Sequence, residues 1–269
     1  MNDFAEKHHR ARKRFGQNFL VREDIIHRIV QSVNAKSGDA LVEIGPGLGA
    51  LTEALVAGAG ALQVIEIDRD LAARLRERND TRLTIHETDV LNVDFSTLTK
   101  DDQRLRIVGN LPYNISTPLL LKLAHAHHVV ADLHVMLQAE VVDRMIAKSG
   151  TKAFGRLSVI LQSVFHIEQI LSVPPDAFKP APKVQSAVAR LTPRNTIPAA
   201  DELRALETAT RIAFGNKRKT LRNNFKNTLN EAQLQELDIN PNARAETLDL
   251  SAFHRLASVI VQLPPSETP

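Results

Sequence analysis

Residues 40–55 read ALVEIGPGLGALTEAL. The first five, ALVEI, are apolar at nearly every position, as expected for a strand covered on both faces. Gly-Pro-Gly-Leu-Gly follows, and then a segment of helical spacing. Gly45, Gly47 and Gly49 let the chain turn sharply and let a ligand approach the backbone with no Cβ in the way. The next helix presents free N–H groups and a partial positive charge at its first turn. Strand, glycine turn and helix in this order predict a ligand loop at the carboxyl edge of a parallel sheet. Gly45, Gly47 and Ala50 also satisfy a dinucleotide fingerprint, so the loop alone does not separate one adenosine-containing cofactor from another.

Working outward, LQVIEI (62–67), RLTIHE (82–87), LRIVGN (105–110) and LHVML (133–137) are further strands, alternating with helical segments. The alternation predicts an α/β fold with a doubly wound, Rossmann-like sheet. Val21, Ile25, Ile26, Ile29, Val30 and Val33 form a helical stripe ahead of the first long strand. HIEQILSV (166–173) and KVQSAVARL (183–191) read as strands joined by Pro-rich PPDAFKPAPK, a hairpin closing the sheet edge. TPRNTIPAAD (192–201) is a turn-rich linker. Leu203, Leu206, Ile212 and Phe214, then Leu221, Phe225 and Leu229, then Leu250, Phe253, Leu256 and Ile260 continue at helical spacing. The expected division is a catalytic domain over residues 1–199 and a small helical domain over residues 200–269.

Three acidic or amide positions fall at predicted strand ends. Glu66 closes VIE, where an acid can accept from both hydroxyls of a ribose. Asp68 competes for that role but reads better as the cap of the next helix. Asp89, after the third strand, is placed to accept from an adenine amine, or serves as a turn residue. Asn110-Leu111-Pro112-Tyr113 follows LRIVG directly, with Thr117 as expected N-cap and Pro118 at the first position of a helix. The motif sets a neutral amide and an aromatic ring at the ligand edge of the sheet. An adenine amine is a poor nucleophile because its lone pair is delocalised into the ring. Asn110 Oδ1 and the Leu111 carbonyl can accept its two N–H bonds and stabilise the positive charge that grows as it attacks a methyl sulfonium. Tyr113 can stack on a base taken out of its helix. This chemistry makes S-adenosylmethionine the expected cofactor.

The 269 residues hold no cysteine, which excludes disulfides, thiolate metal sites and a thiol nucleophile. Ten histidines form no spacing that closes a metal site, so no metal is expected. No apolar stretch is long enough to span a membrane, and the basic N-terminus lacks the apolar core of a secretory signal. A cytoplasmic location is expected. Net charge is +3, unevenly spread. Residues 1–22 carry six Lys and Arg (Lys7, Arg10, Arg12, Lys13, Arg14, Arg22) against two acids. Residues 211–226 carry six (Arg211, Lys217, Arg218, Lys219, Arg222, Lys226) and no acid, which leaves −7 elsewhere. Two basic segments on an acidic body point to a polyanion, the plain alternative being solvated charge runs. Arg218, Arg222 and Lys226 recur every four residues and predict one basic helical stripe beside the apolar stripe Leu221, Phe225, Leu229.

The ordered set RFGQNFL, EIGPGLG, GNLPYNIST, PPDAFKPAPKVQSAV and RKTLRN resembles the KsgA family of small-subunit ribosomal RNA adenine N6-dimethyltransferases, from about residue 12 to the C-terminal region. The resemblance implies dimethylation of N6 on two adjacent adenosines in the 3′-terminal hairpin loop, late in subunit assembly. The substrate is then ribosomal RNA in a pre-assembled small subunit. Nothing in the sequence suggests a coiled coil, and a monomer is expected. The resemblance also implies cofactor contacts at Asn18, Leu20, Gly45, Glu66, Asp89 and Asn110, which the glycine turn extends to Gly47. Target-base contacts fall on Asn110, Leu111, Tyr113 and Phe178; the basic segment itself makes Arg218, Lys219, Arg222 and Lys226 the expected RNA contacts. Phe178 suits a rigid Pro-rich loop that holds a second ring opposite Tyr113, or else it plugs the core. Two departures stand out: Phe154 where the family pattern has tyrosine, and Lys217 where it has arginine. The lysine keeps charge but loses the bidentate geometry for phosphate.

Two other readings use part of the pattern. A nicotinamide dehydrogenase accounts for the glycine loop and Glu66 but gives Asn110-Leu111-Pro112-Tyr113 no role. An RNA-binding assembly factor accounts for the basic segments without catalysis. The Erm family, which methylates large-subunit RNA, shares the core; PPDAFKPAPKVQSAV and RKTLRN favour the small-subunit enzyme.

Overall fold

The computed structural model describes residues 17–100 and 103–262. The basic positions Lys7, Arg10, Arg12, Lys13 and Arg14 therefore lie outside the described residues. The chain folds as two compact units, one built on residues up to Val142 with Ile167–Thr192, the other on Asp143–His166 and the residues from Pro193. The division expected from the sequence falls at 199/200; in the fold, residues 143–166 belong with the C-terminal helices as well.

In the first unit, strand β1 (Phe19–Leu20) leads into helix α1 (Glu23–Val33), which buries Ile25, Ile29 and Val33 and stops at Asn34 in the left-handed region. Each of these side chains contributes about 1.5–3 kcal/mol by leaving water. Then come β2 (Ala40–Ile44), α2 (Thr52–Ala59), β3 (Leu62–Glu66), α3 (Arg69–Glu77), β4 (Leu83–Glu87), β5 (Leu105–Asn110), α4 (Ser116–His125) and β6 (Val130–Gln138). β2, β3, β4, β5 and β6 pair in parallel, and their inward side chains, such as Val42, Val64, Ile107 and Val135, are fully buried. Burial on both faces is why β2, β3, β5 and β6 read as largely apolar runs, while the edge strand β4 buries none of its residues fully.

The chain continues through α5 (Ala139–Ile146), α6 (Arg156–Val164), β7 (Phe165–Val173), β8 (Phe178–Lys179) and β9 (Ser186–Pro193). The large sheet has the order β4-β3-β2-β5-β6-β9-β7, with β9 antiparallel to β6. The doubly wound α/β sheet expected from the sequence is thus present, and β7 and β9 stand side by side at one edge. Sequence order reverses between β2 and β5, which makes the carboxyl ends of these strands the crevice for a ligand. β8 leaves the large sheet and pairs antiparallel with β1, Leu20 opposite Phe178 and Phe19 opposite Lys179. At the opposite end of the sheet, Arg106 donates to Asp39 (2.7 Å), to Asp132 (2.8 Å) and to the Val33 carbonyl (2.6 Å), tying α1 to the strands far from the crevice.

The helix after Tyr113 begins earlier than the sequence suggests. Ile115 occupies the N-cap position with no side-chain cap, so Pro118 is the third residue of α4. Proline is tolerated there because N–H groups of the first turn have no partner within the helix.

The second unit is helical: the end of α5, α6, α7 (Ala200–Ala213), α8 (Leu221–Phe225), α9 (Glu231–Glu236) and α10 (Leu250–Ile260). Leu203, Leu206, Leu221, Phe225, Phe253 and Leu256 are buried, as their spacing predicts. Phe154, at 2 % exposure, packs its ring against Phe214 (6.4 Å) and Phe253 (6.3 Å). A tyrosine hydroxyl would be buried here and would need a partner, so phenylalanine suits this apolar cluster.

One sequence expectation fails in this unit. Arg218, Arg222 and Lys226 do not share one helix. α7 ends at Ala213, residues 214–219 form turns, and α8 begins only after Thr220. Arg218 lies in the turns and Lys226 at the C-cap of α8. Leu221, Phe225 and Leu229 are all buried, although Leu229 lies beyond the end of α8.

Candidate active site

The turn after β2 is built on positive φ at Gly45 (65°), Gly47 (59°) and Gly49 (86°). A Cβ on Gly47 would press to 3.1 Å of the Phe19 ring, so residue 47 is held to glycine by both conformation and space. Gly45 N–H donates to the Ile65 carbonyl (2.9 Å), which docks the loop onto β3. Glu66, at the end of β3 and 5 % exposed, accepts from Asp68 N–H (2.9 Å) and Gly47 N–H (3.3 Å). Burial pushes its pKa up, against the pull of these donors. Beneath the loop, Glu43 accepts from the Thr52 hydroxyl (2.7 Å), and burial raises its pKa to about 7. Asp68 caps α3 by accepting from Asp70 N–H, as its position suggests, and also accepts from Gln17 Nε2 (3.0 Å).

Glu43, Gly45, Gly47 and Glu66 line a cavity of about 320 Å³ that opens at the carboxyl ends of β2, β3 and β5. Asn18, Leu20, Gly45, Gly47, Glu66 and Asp89, expected together, all border it, and so do Asn110, Leu111 and Tyr113. Asp89 Oδ1 accepts from Leu91 N–H (2.9 Å), which orients the carboxylate. Lys122 of α4 fixes the same turn by donating to the Leu91 carbonyl (2.6 Å).

Asn110 ends β5, and its Nδ2 donates to the Asn18 carbonyl at 3.0 Å. The amide is thereby oriented, and Oδ1 is the end that remains to accept. Leu111 N–H donates to the Met136 carbonyl (3.1 Å), which sets the plane of the peptide after Asn110. Tyr113 is half-buried, and its hydroxyl shares a 2.7 Å hydrogen bond with Ser186 Oγ at the start of β9. Burial raises the Tyr113 pKa, which keeps the phenol neutral.

For Phe178 the sequence allows a ring opposite Tyr113 or a core plug. It is 2 % exposed, packs in the core cluster with Leu20, Ile25 and Ala177, and is absent from the cavity lining. This burial favours the core-plug alternative, and its strand partner Leu20 belongs to the same cluster.

Four contacts at the site escaped sequence reasoning: Gln17 to Asp68, Asn18 to Asn110, Lys122 to Leu91 and Ser186 to Tyr113. Ile67 did leave a signal. An apolar residue beside Glu66, 44 % exposed, offers the cavity a surface for a flat apolar group.

In the second unit, Lys217, Arg218, Lys219, Arg222 and Lys226 are all exposed. Arg222 is 3.5 Å from Glu231, a surface pair that holds it weakly. Arg22, the one described member of the N-terminal basic cluster, is paired with Asp24 (2.6 Å) and Asp176 (3.6 Å). Among the described residues no cluster suits a metal ion, and no helix is long and apolar enough to cross a membrane.

Comparison with known proteins agrees with this geometry. The sequence pattern described as ribosomal RNA adenine dimethylase matches residues 8–262. The chain is 50 % identical to ribosomal RNA small subunit methyltransferase A of Colwellia psychrerythraea, covering 100 % of this chain and 90 % of that one. It is 49 % identical to the protein of the same name from Vibrio parahaemolyticus, covering 95 % and 96 %. Among solved structures, a dimethyladenosine transferase from Plasmodium falciparum superposes with a TM-score of 0.75 at 26 % identity, over 88 % of this chain and 95 % of that one. The 23S rRNA methyltransferase ErmE shares the fold, with a TM-score of 0.67 at 23 % identity over 91 % and 100 %. With its ligand loop, its Asn-Leu-Pro-Tyr edge and a match over nearly its whole length, the chain belongs to the ribosomal RNA adenine dimethylase family.

Proposed function

We propose that this enzyme transfers methyl groups from S-adenosylmethionine to N6 of two adjacent adenosines in the 3′-terminal hairpin loop of small-subunit ribosomal RNA. It acts as a cytoplasmic monomer on a pre-assembled subunit late in maturation. Family membership supports the reaction class. The observation that carries the assignment to this site is the oriented amide of Asn110 at the edge of the cavity.

The residues fit the cofactor. Glu66 is a buried carboxylate whose two N–H donors leave lone pairs for both ribose hydroxyls. Asp89, fixed by Leu91, retains an oxygen for the adenine amine, and Ile67 supplies an apolar face for the ring. Asn18, Leu20, Gly45 and Gly47 complete the walls. Bound there, S-adenosylmethionine supplies a methyl group made electrophilic by its sulfonium sulfur.

The chain's own work is to present the target amine. Asn110 Oδ1 and the Leu111 carbonyl accept its two N–H bonds. These oxygens are in place beforehand, so they stabilise the charge on nitrogen without reorganising. Tyr113, its hydroxyl tethered by Ser186, offers a ring face to the flipped base. Phe178 supports the site from the core by holding the strand that carries Leu20. Arg218, Lys219, Arg222 and Lys226 meet RNA phosphates, a role their exposure allows.

Incubation with methyl-labelled cofactor tests this reading. Unmethylated small subunits should take up label, while already methylated small subunits and large subunits should not. Equal labelling of large subunits would refute it.

A further inference from the structure

Arg78 follows α3 and is 30 residues away from the glycine turn in sequence. Its Nη2 nevertheless donates to the Leu48 carbonyl at 2.9 Å, in the middle of that turn. Its Nη1 lies 3.5 Å from Glu53 in the first turn of α2. The guanidinium covers Gly49 so closely that a Cβ there would fall 2.4 Å from Nη2 and 2.9 Å from Cζ and Nη1. The side chain is only 31 % exposed, so this contact is partly shielded from solvent. Below the same turn, the buried Glu43–Thr52 hydrogen bond holds its two ends together, and the Arg78 charge reaches Glu43 as well. The turn is therefore gripped from both sides.

We propose that Arg78 is a positioning residue for the cofactor site: its guanidinium clamps the Leu48 carbonyl over Gly49 and so presets the Gly45–Thr52 turn for the cofactor. The claim rests on the reading of this turn as the cofactor cradle. Arg78 is absent from the cavity lining, so it acts through the backbone and not by touching the ligand. A free turn rich in glycine samples many conformations, and binding must then supply the cost of ordering it. A planar donor anchored on a helix end removes that cost beforehand. It also explains Gly49: a methyl group at that position displaces the guanidinium, in addition to the strain of φ at 86°.

The test uses the full chain and S-adenosylhomocysteine as the calorimetric probe. Arg78→Ala should weaken binding about tenfold, the scale expected for a charged hydrogen bond that is part-exposed. KM for the methyl donor should rise with it, while kcat at saturating donor stays near wild type. Arg78→Lys, which keeps the charge and loses the fork, should fall between the two. Gly49→Ala should cost less in the Arg78→Ala background than in wild type, because both changes remove the same clamp. Hydrogen exchange of the Leu48–Thr52 amides in the ligand-free protein should quicken in Arg78→Ala. Wild-type affinity in Arg78→Ala, or additive effects of the two substitutions, would overturn the clamp. If the wild-type protein fails to bind the probe, the cofactor reading is at fault, and the exchange measurement still decides the clamp.

Discussion

Asn110 donates its Nδ2 hydrogen to the backbone carbonyl of Asn18 at 3.0 Å, across 92 residues of sequence. The bond joins the end of a central strand to the segment that enters the small β1–β8 ribbon. It fixes which end of the amide is donor and which is acceptor. Asn110→Ala should therefore lower the single-turnover rate of methyl transfer by about 100- to 1,000-fold, the usual cost of one charge-stabilising group. Melting should change little, because Asn110 is not in the core. A near-wild-type rate would remove Asn110 from the chemistry.

Glu66 links the cofactor to pH. Its pKa is raised, chiefly by burial, and ribose hydroxyls donate to the ionised form. Binding should strengthen as pH rises through that raised pKa, with proton release on the acid side. Glu66→Ala should lose about 1.5–3 kcal/mol of cofactor binding and the proton release with it. Calorimetry in two buffers of different ionisation enthalpy measures both. Unchanged affinity in the folded variant would contradict the assignment.

Glu43 makes stability fall with pH. Its carboxyl is raised from 4.5 to about 7, mainly by burial, so the folded chain holds the proton more tightly than the unfolded chain does. Stability is full below the unfolded value and is lost as pH rises toward 7, by roughly 3 kcal/mol in all. Glu43→Gln keeps an acceptor for Thr52 and has no charge to bury. Its melting temperature should gain on wild type between about pH 5 and about pH 8. A constant difference across that range would mean that Glu43 stays ionised throughout.

Phe178→Leu separates a core plug from a stacking ring. Leucine fills most of the volume, so the cost in stability should be modest, about 1 kcal/mol. Turnover at saturating substrate should stay near wild type, since the ring does not border the cavity. Loss of turnover in a stable Leu variant would restore the two-ring clamp.

Arg218→Glu, Arg222→Glu and Lys226→Glu together should weaken binding to small subunits and reduce the log–log salt slope by roughly 2–3, one unit or slightly less per phosphate contact. Cofactor affinity should not move, because none of the three borders the cavity. An unchanged slope would leave these charges as solvating groups.

What could be read from the sequence was what chain-local spacing encodes. Gly45, Gly47, Glu66 and Asn110 each sit at a strand end, and strand ends converge in a parallel sheet whatever the loops do. Partners brought together by folding left no such trace: Arg78 meets Leu48 across 30 residues, and Tyr113 meets Ser186 across 73. Phe178 stayed open in the sequence because a proline-rich loop suits a rigid arm and a core plug alike, and its burial beside Leu20 is set only by the fold. The basic stripe did mislead. Residues at every fourth position look helical even where the chain breaks between them, and here it breaks between Ala213 and Leu221.

Mapping the modified base tests the central claim most directly. Unmethylated small subunits are incubated with the wild-type enzyme or with Asn110→Ala, and their RNA is digested and sequenced by mass spectrometry. The account predicts N6,N6-dimethyladenosine at two adjacent positions of the 3′-terminal hairpin loop with wild type and almost none with the variant. Methyl groups on another atom or another loop, or equal modification by the variant, would contradict it.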